Sequence, residues 1–128
     1  MNQKFLYQLI KQKTSYQAYA NQAPDTVALP FLTYEKKGFD QLKAKTLVYG
    51  EAYTYMINVV ANSYSSATAI TQSIITELSN FSGSITWDEG STTYTESIDK
   101  VDIVDQDDLS NEEGIYVMQI QIRLTKIF

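Results

Sequence analysis

The sequence predicts an α+β fold, a single antiparallel-rich sheet with two helices packed on one face. Three observations predict it. Tyr116, Met118, Ile120, Ile122 and Leu124 alternate with Val117, Gln119, Gln121, Arg123 and Thr125, the period of two that a strand with one buried face requires. Ala67, Ile70, Ile74, Leu78 and Phe81 recur at spacings of three and four, which sets them in one apolar stripe along a helix. Residues 46–61 form the longest β-like run, rich in Tyr, Val and Ile.

In chain order, residues 2 to about 12 place Phe5, Leu6, Leu9 and Ile10 on one side at helical spacing, with Asn2 available as a cap. The Gln-, Asn-, Ala- and Tyr-rich segment 14–25 ends in Pro24-Asp25 and reads as a fraying helix end or loop. Residues 28–37 read as a strand, with Pro30 confined to its start or to an edge because it has no N–H to donate. Gly38 and the polar residues after it break that run. In the long run 46–61, Tyr53, Tyr55, Ile57 and Val59 share one face and Ala52, Thr54, Met56, Asn58 and Val60 the other. Neither face is strongly polar, so helices are expected over one and a partner or loop over the other. Gly50 is the expected bulge or bend.

The second helix follows, capped by Ser63 or Ser65 and ended by Gly83. Residues 84–113 read as short strands joined by polar turns: Ile85-Thr86-Trp87, a turn at Asp88-Glu89-Gly90, Thr92 to Thr95, then Ile98 to Val104. A turn over 107–114 leads into the last strand. With 128 residues there is material for one core, and the whole chain, 1–128, is expected to be a single domain.

Composition narrows the function. The chain has no cysteine and no histidine, which removes thiolate chemistry, disulfides, the commonest zinc ligands and the usual general base near neutral pH. The first residues lack the apolar run of a signal peptide, and no stretch approaches the ~20 apolar residues of a membrane helix. These features predict a soluble protein made in the cytoplasm, in which the Asn80-Phe81-Ser82 sequon is a chance match. No P-loop, dinucleotide glycine fingerprint, nucleophile elbow or zinc spacing occurs, and five glycines leave little material for a phosphate cradle. No cofactor, metal or catalytic activity is expected.

Charge is distributed unevenly. The net charge is −5, yet residues 88–113 hold ten acids against Lys100 alone, while the remainder holds five acids against nine bases. An acidic segment on a mildly basic body disfavours general binding to nucleic-acid phosphates and suits charge pairing between subunits. Asp99, Asp102, Asp105, Asp107, Asp108, Glu112 and Glu113 are therefore the candidate functional residues, as a channel-lining or subunit-contact segment. A calcium loop starting at Asp105 would put Ser110 where the sharp turn needs Gly and Tyr116 where the bidentate Glu belongs, so that match fails. A hydrolytic carboxylate pair needs one acid in an apolar pocket, whereas strand alternation and turn placement expose most of these acids.

Ten tyrosines are a high count for this length and fit either subunit contacts or half-buried sheet packing. The bases are scattered, with Lys36 and Lys37 the only adjacent pair, so stacking aromatics with interleaved bases give little signal for single-stranded nucleic acid. Trp87, beside the 88–90 turn, is either an exposed contact or a buried indole with its N–H satisfied.

The short amphipathic N-terminal helix, the Ala28-Leu29-Pro30-Phe31-Leu32-Thr33-Tyr34 strand after a polar loop, and the strand Tyr53 to Ala61 running into Ser63-Tyr64-Ser65-Ser66-Ala67 form one layout. The helix with Ile70, Ile74 and Leu78 and a closing β-hairpin complete it. That layout resembles the small tail-completion, or tail-terminator, proteins that join head to tail in long-tailed bacteriophages and prophages. Residues 84–97 are longer and more strand-like than in a minimal member. The resemblance implies a structural virion protein of the tail or neck, assembled in the bacterial host cytoplasm. It further implies a subunit of a homo-oligomeric ring, usually a hexamer, whose partners are itself, the tail tube and the head connector. DNA would pass through such a ring without specific binding, and an acidic wall would let it slide. The competing reading is an acidic protein-binding or DNA-mimic module without catalytic activity.

Overall fold

The computed structural model describes residues 4–24, 26–79, 81–110 and 114–128. Its elements are α1 (Phe5–Lys13), β1 (Ala18–Ala20), β2 (Phe31–Ala44), β3 (Leu47–Ala61), α2 (Tyr64–Ser79), β4 (Gly83–Glu89), β5 (Thr92–Ile98), β6 (Lys100–Asp108) and β7 (Tyr116–Ile127). Five strands make one sheet in the order β1-β2-β3-β7-β6, and β4 and β5 form a separate hairpin. Among the described residues only the β1–β2 pairing is parallel. The α+β class, antiparallel-rich with both helices on one face, is what the pattern of the sequence predicts.

The core follows from strand alternation. In β3 the side chains of Tyr53, Tyr55, Ile57, Val59 and Ala61 are buried, and opposite them in β7 so are Ile120, Ile122 and Leu124. Register sets Tyr53 beside Leu124, Tyr55 beside Ile122 and Ile57 beside Ile120. The same buried cluster takes Phe5, Leu6, Leu9 and Ile10 from α1 and Ile70, Ile74 and Leu78 from α2, so both helices cover this one face. Each helix hides an apolar stripe that water would otherwise wet, and that burial is the principal stabilising term.

Helix boundaries depart from the sequence pattern where local hydrogen bonding decides them. α1 begins at Phe5 with no side-chain cap, and the expected cap Asn2 lies outside the described residues. Thr14 ends it: the Thr14 amide and hydroxyl both donate to the Ile10 carbonyl, at 2.9 and 2.7 Å. Ser63 caps α2 as expected, its Oγ accepting the Ser66 amide at 3.1 Å. Replacing Ser63 with Ala should therefore cost about 1 kcal/mol, read from the midpoint of urea unfolding. Gly83 does not end α2. The helix stops at Ser79, and Gly83, at φ +134°, opens β4 in a backbone conformation that other residues rarely adopt.

Three strand expectations are corrected. The segment 14–25 is not wholly loop: Ala18–Ala20 pair with Leu32, Thr33 and Tyr34, a contact supplied by tertiary structure where local pattern is weak. β2 does not stop at Gly38 but continues to Ala44, because the long β3 needs a partner of matching length. It crosses Gly38 through a register shift between Lys36 and Gly38, which leaves Lys37 as the extra residue of a bulge. β6 runs past Val104 to Asp108, again through a shift, between Ile103 and Asp105. The bend expected at Gly50 is present: the register shifts beside it, and a Cβ there would lie 2.7 Å from the Lys126 carbonyl oxygen.

The β4–β5 hairpin is a lid on α1. Its turn is Gly90-Ser91 rather than residues 88–90, since Glu89 still pairs with Thr92 and the positive φ of +61° at Gly90 suits glycine. Ile85, Trp87 and Ile98 enter the main core. The Trp87 ring stacks on Tyr94 at 5.8 Å between centroids, and its N–H donates to Glu89 at 3.3 Å. Gln12 of α1 donates to the Thr86 carbonyl at 3.0 Å, and Lys4 pairs with Glu89 at 3.0 Å. Trp87 is thus a buried indole with a satisfied N–H.

Glu89 gives a pH test of this lid. The Lys4 hydrogen bond, then that from Trp87, hold its carboxyl below the usual carboxylate range, burial opposing them. A depressed folded pKa contributes stability above the unfolded value and loses it as pH falls through the folded one. Glu89→Gln should therefore melt below wild type at neutral pH, and the two curves should converge below about pH 4.

Candidate assembly surface

The face of the sheet away from the helices carries the residues between the core positions. Thr54, Met56, Asn58 and Val60 of β3 are only half-buried, and so are Gln119, Gln121 and Arg123 of β7. Polar side chains tie three strands together across it: Asn58 donates to Thr33 at 3.3 Å, and Gln119 donates to Asn58 at 3.0 Å. Arg123 lies 4.0 Å from Asp40 of β2. Among the described residues both helices pack on the opposite face.

The candidate acids within the described residues divide into three groups. Asp102, Asp105 and Asp107 pair in register with Arg123, Gln121 and Gln119, so they stand in a row on the open face along the edge strand β6. Lys100 lies 3.4 Å from Asp102. Asp99 acts within the fold instead: its carboxylate accepts the Ile127 amide at 2.6 Å and its own amide donates to Thr125, which pins the β5–β6 junction to the end of β7. Asp108 accepts the Ser110 amide at 2.9 Å, and hydrogen bonds from Ser110 hold its carboxyl below the usual range. Glu112 and Glu113 lie outside the described residues. Among the described residues no group of three or more carboxylates converges as metal ligands would.

Among the described residues, both sides of the five-stranded sheet keep a stretch of edge without a strand partner. β6 pairs with β7 on one side only, and β1 covers β2 only as far as Tyr34. Beyond Tyr34, β2 is a free edge that carries Lys36, Lys37 and Lys43 and leads to Lys45 in the hairpin turn. Lys36 sits over the rings of Phe39 and Tyr53, at 5.6 and 5.1 Å from their centroids. Lys37 pairs with Glu35. These four bases, all between residues 36 and 45, lie along this one strand and its turn. The signal that could have found them was the length of β3, which demands a partner strand through residue 44.

A groove of about 270 Å³ opens beside this edge, lined by Tyr34, Tyr53, Tyr55, Glu35 and Lys36 with Ala20 and Asn21. Burial is the first cause that raises the pKa of all three tyrosines, and Tyr53 also donates to Glu51. Their hydroxyls stay protonated at neutral pH and offer hydrogen bonds and apolar area, the properties of a contact surface.

Exposed apolar residues collect at the two ends of the sheet. At one end are Leu47, Tyr49, Ile127 and Phe128, where the Phe128 amide donates to the Tyr49 carbonyl. At the other are Tyr64, Leu109 and Ile115, with Tyr64 in edge contact with Tyr116. No helix among the described residues is long and apolar enough to cross a membrane.

No protein-family model matches the sequence, and no curated protein sequence does. Among solved structures, a chain of one described as the virion of a native gene transfer agent particle matches with a TM-score of 0.60. The match covers 94% of this chain and 83% of that one, at 13% identity. At that identity the likeness is one of fold.

Proposed function

We propose that this chain is a structural protein of a phage-like virion, a subunit of the ring that terminates the tail tube and joins it to the head. The observation that carries the reading is the likeness over nearly the whole length to a chain of a virion particle. The resemblance of the sequence layout to tail-terminator proteins narrows it to the tail and neck, and to a ring that is usually hexameric. The surface supports the same class. Among the described residues, an uncovered sheet face, two open edges and apolar groups at both ends of the sheet are material for contacts with several neighbours.

The DNA-mimic reading has less support. Mimicry needs acids spread over a broad face, whereas three aspartates form one row, Asp99 is engaged within the fold and Asp108 in a turn. Antibody labelling of purified particles by electron microscopy tests the proposal. Label at the head–tail junction is the expected result. Label along the tail shaft, or particles without the protein, would contradict it.

A further inference from the structure

We infer that the groove beside β2 receives an extended acidic segment of another protein, which adds a strand where β1 stops and sets a carboxylate among Lys36, Tyr34 and Tyr55. The site rests on its own geometry, and only the identity of the partner, a neighbour in the particle, rests on the virion reading.

The backbone offers the place for a strand. β1 pairs with β2 as far as Ala20 and Tyr34, and the Asn21 amide closes that ladder on the Tyr34 carbonyl at 2.8 Å. Asn21, at φ +64°, then turns the chain away. β2 runs on to Ala44, paired with β3 on its other side. Toward β1 its backbone groups alternate: the Leu32 amide donates to Gln17 and the Tyr34 carbonyl accepts from Asn21, so the next groups due on that side are those of Lys36. No strand among the described residues meets them. An open edge is a template for an added strand.

The side chains around that gap define what the strand must carry. Lys36 lies opposite Tyr55 and Tyr34 opposite the buried Ile57, so all three belong to the helix face of the sheet. Tyr55 is only 5% exposed, yet neither its hydroxyl nor that of Tyr34 forms a hydrogen bond among the described residues. Every fully enclosed side-chain nitrogen and oxygen there has a partner, so these two hydroxyls open on the groove that they line. The Lys36 ammonium stands 5.1 Å from the centre of the Tyr53 ring and pairs with no carboxylate among the described residues. Glu35 also borders the groove, but alternation turns it to the open face, and Lys37 pairs with it. Two hydroxyl donors and one ammonium suit a carboxylate, an acceptor-only group that takes several such bonds. At about 270 Å³ the groove is smaller than the roughly 300–1,000 Å³ of sites for drug-sized ligands, which fits the side chains of a strand.

The other free edge of the sheet, in a second copy, does not supply that carboxylate. On β6, Asp102, Asp105 and Asp107 oppose Arg123, Gln121 and Gln119 and share the open face, while Val101, Ile103 and Gln106 share the helix face. A sheet continued from β2 into β6 would bring those last three to the groove and leave Lys36 without a countercharge. A strand of a different chain, with its acid on the side that faces the helices, meets both the backbone and the charge.

The test titrates the purified protein with a short peptide of alternating Thr and Val bearing one central Glu, followed by backbone amide NMR shifts. A second peptide carries Gln in place of that Glu. The Glu peptide should shift the amides of Glu35, Lys36 and Lys37 and leave those of β6 unmoved. Lys36→Gln should weaken its binding about tenfold, as loss of a hydrogen bond to a charged group does, and Tyr34→Phe with Tyr55→Phe should weaken it by a similar factor. The Gln peptide should bind wild type about as weakly as the Glu peptide binds the Lys36→Gln protein. Thermal melting checks each variant, and exposed Lys36 can be replaced without touching the core even if the double tyrosine variant fails to fold. Equal binding of the two peptides, unchanged affinity in Lys36→Gln, shifts confined to β6, or no shift at all would overturn the site. These outcomes read neither the oligomer nor the particle, so the virion proposal stands or falls separately.

Discussion

Ile120→Asp should destabilise the fold by more than about 3 kcal/mol, because it places an unpaired carboxylate where no water reaches. Ile120 is fully buried in β7, a strand paired on both sides, and faces Ile57 in the centre of the core. No described base lines that position: the buried neighbours in the cluster are apolar side chains from both helices and the sheet. Equilibrium urea unfolding measures the effect. A loss under about 1 kcal/mol would mean that the inner and outer faces of β7 are exchanged, because a one-residue slip moves every side chain to the other face.

Trp87→Ala should cost about 3–5 kcal/mol, the range for removing a large buried aromatic. The loss has three physical parts: apolar area withdrawn from the core, the stack on Tyr94, and a cavity between the hairpin and the rest of the core. It also removes the donor to Glu89, the residue that Lys4 holds from the helix side. The hairpin should therefore loosen before the sheet does. Amide exchange should accelerate in β4 and β5 at denaturant concentrations that leave β3 and β7 protected. Uniform loss of protection across the chain would show instead that the hairpin and the sheet unfold as one unit.

What was legible in the sequence is what strict periodicity encodes. The alternation from Tyr116 to Leu124 and the stripe from Ala67 to Phe81 identified β7, α2 and the correct inner face, because burial on one side imposes a period that polar exposure on the other side sharpens, although Phe81 itself lies past the helix end at Ser79. A serine cap, at Ser63 or Ser65, and a bulge or bend at Gly50 were legible for the same local reason, and the hydrogen bond to Ser66 decides for Ser63. The second half of β2 was not, since an exposed edge strand has no buried face to impose alternation, and Gly38 read as a stop when it accommodates a bulge. β1 escaped because three residues joined by parallel pairing have no local signature. The candidate acids were legible as a cluster but not as separate roles. Only the register shows Asp102, Asp105 and Asp107 in one row, and only the hydrogen bond to Ile127 shows Asp99 acting within the fold.

The central claim is that this chain works by assembling with itself around the end of a tail. Its most direct test is the solution mass of the purified protein by light scattering, across a range of concentration and salt. The account predicts a discrete closed oligomer at six times the 14.5 kDa chain mass. A monomer at every concentration and salt would contradict it.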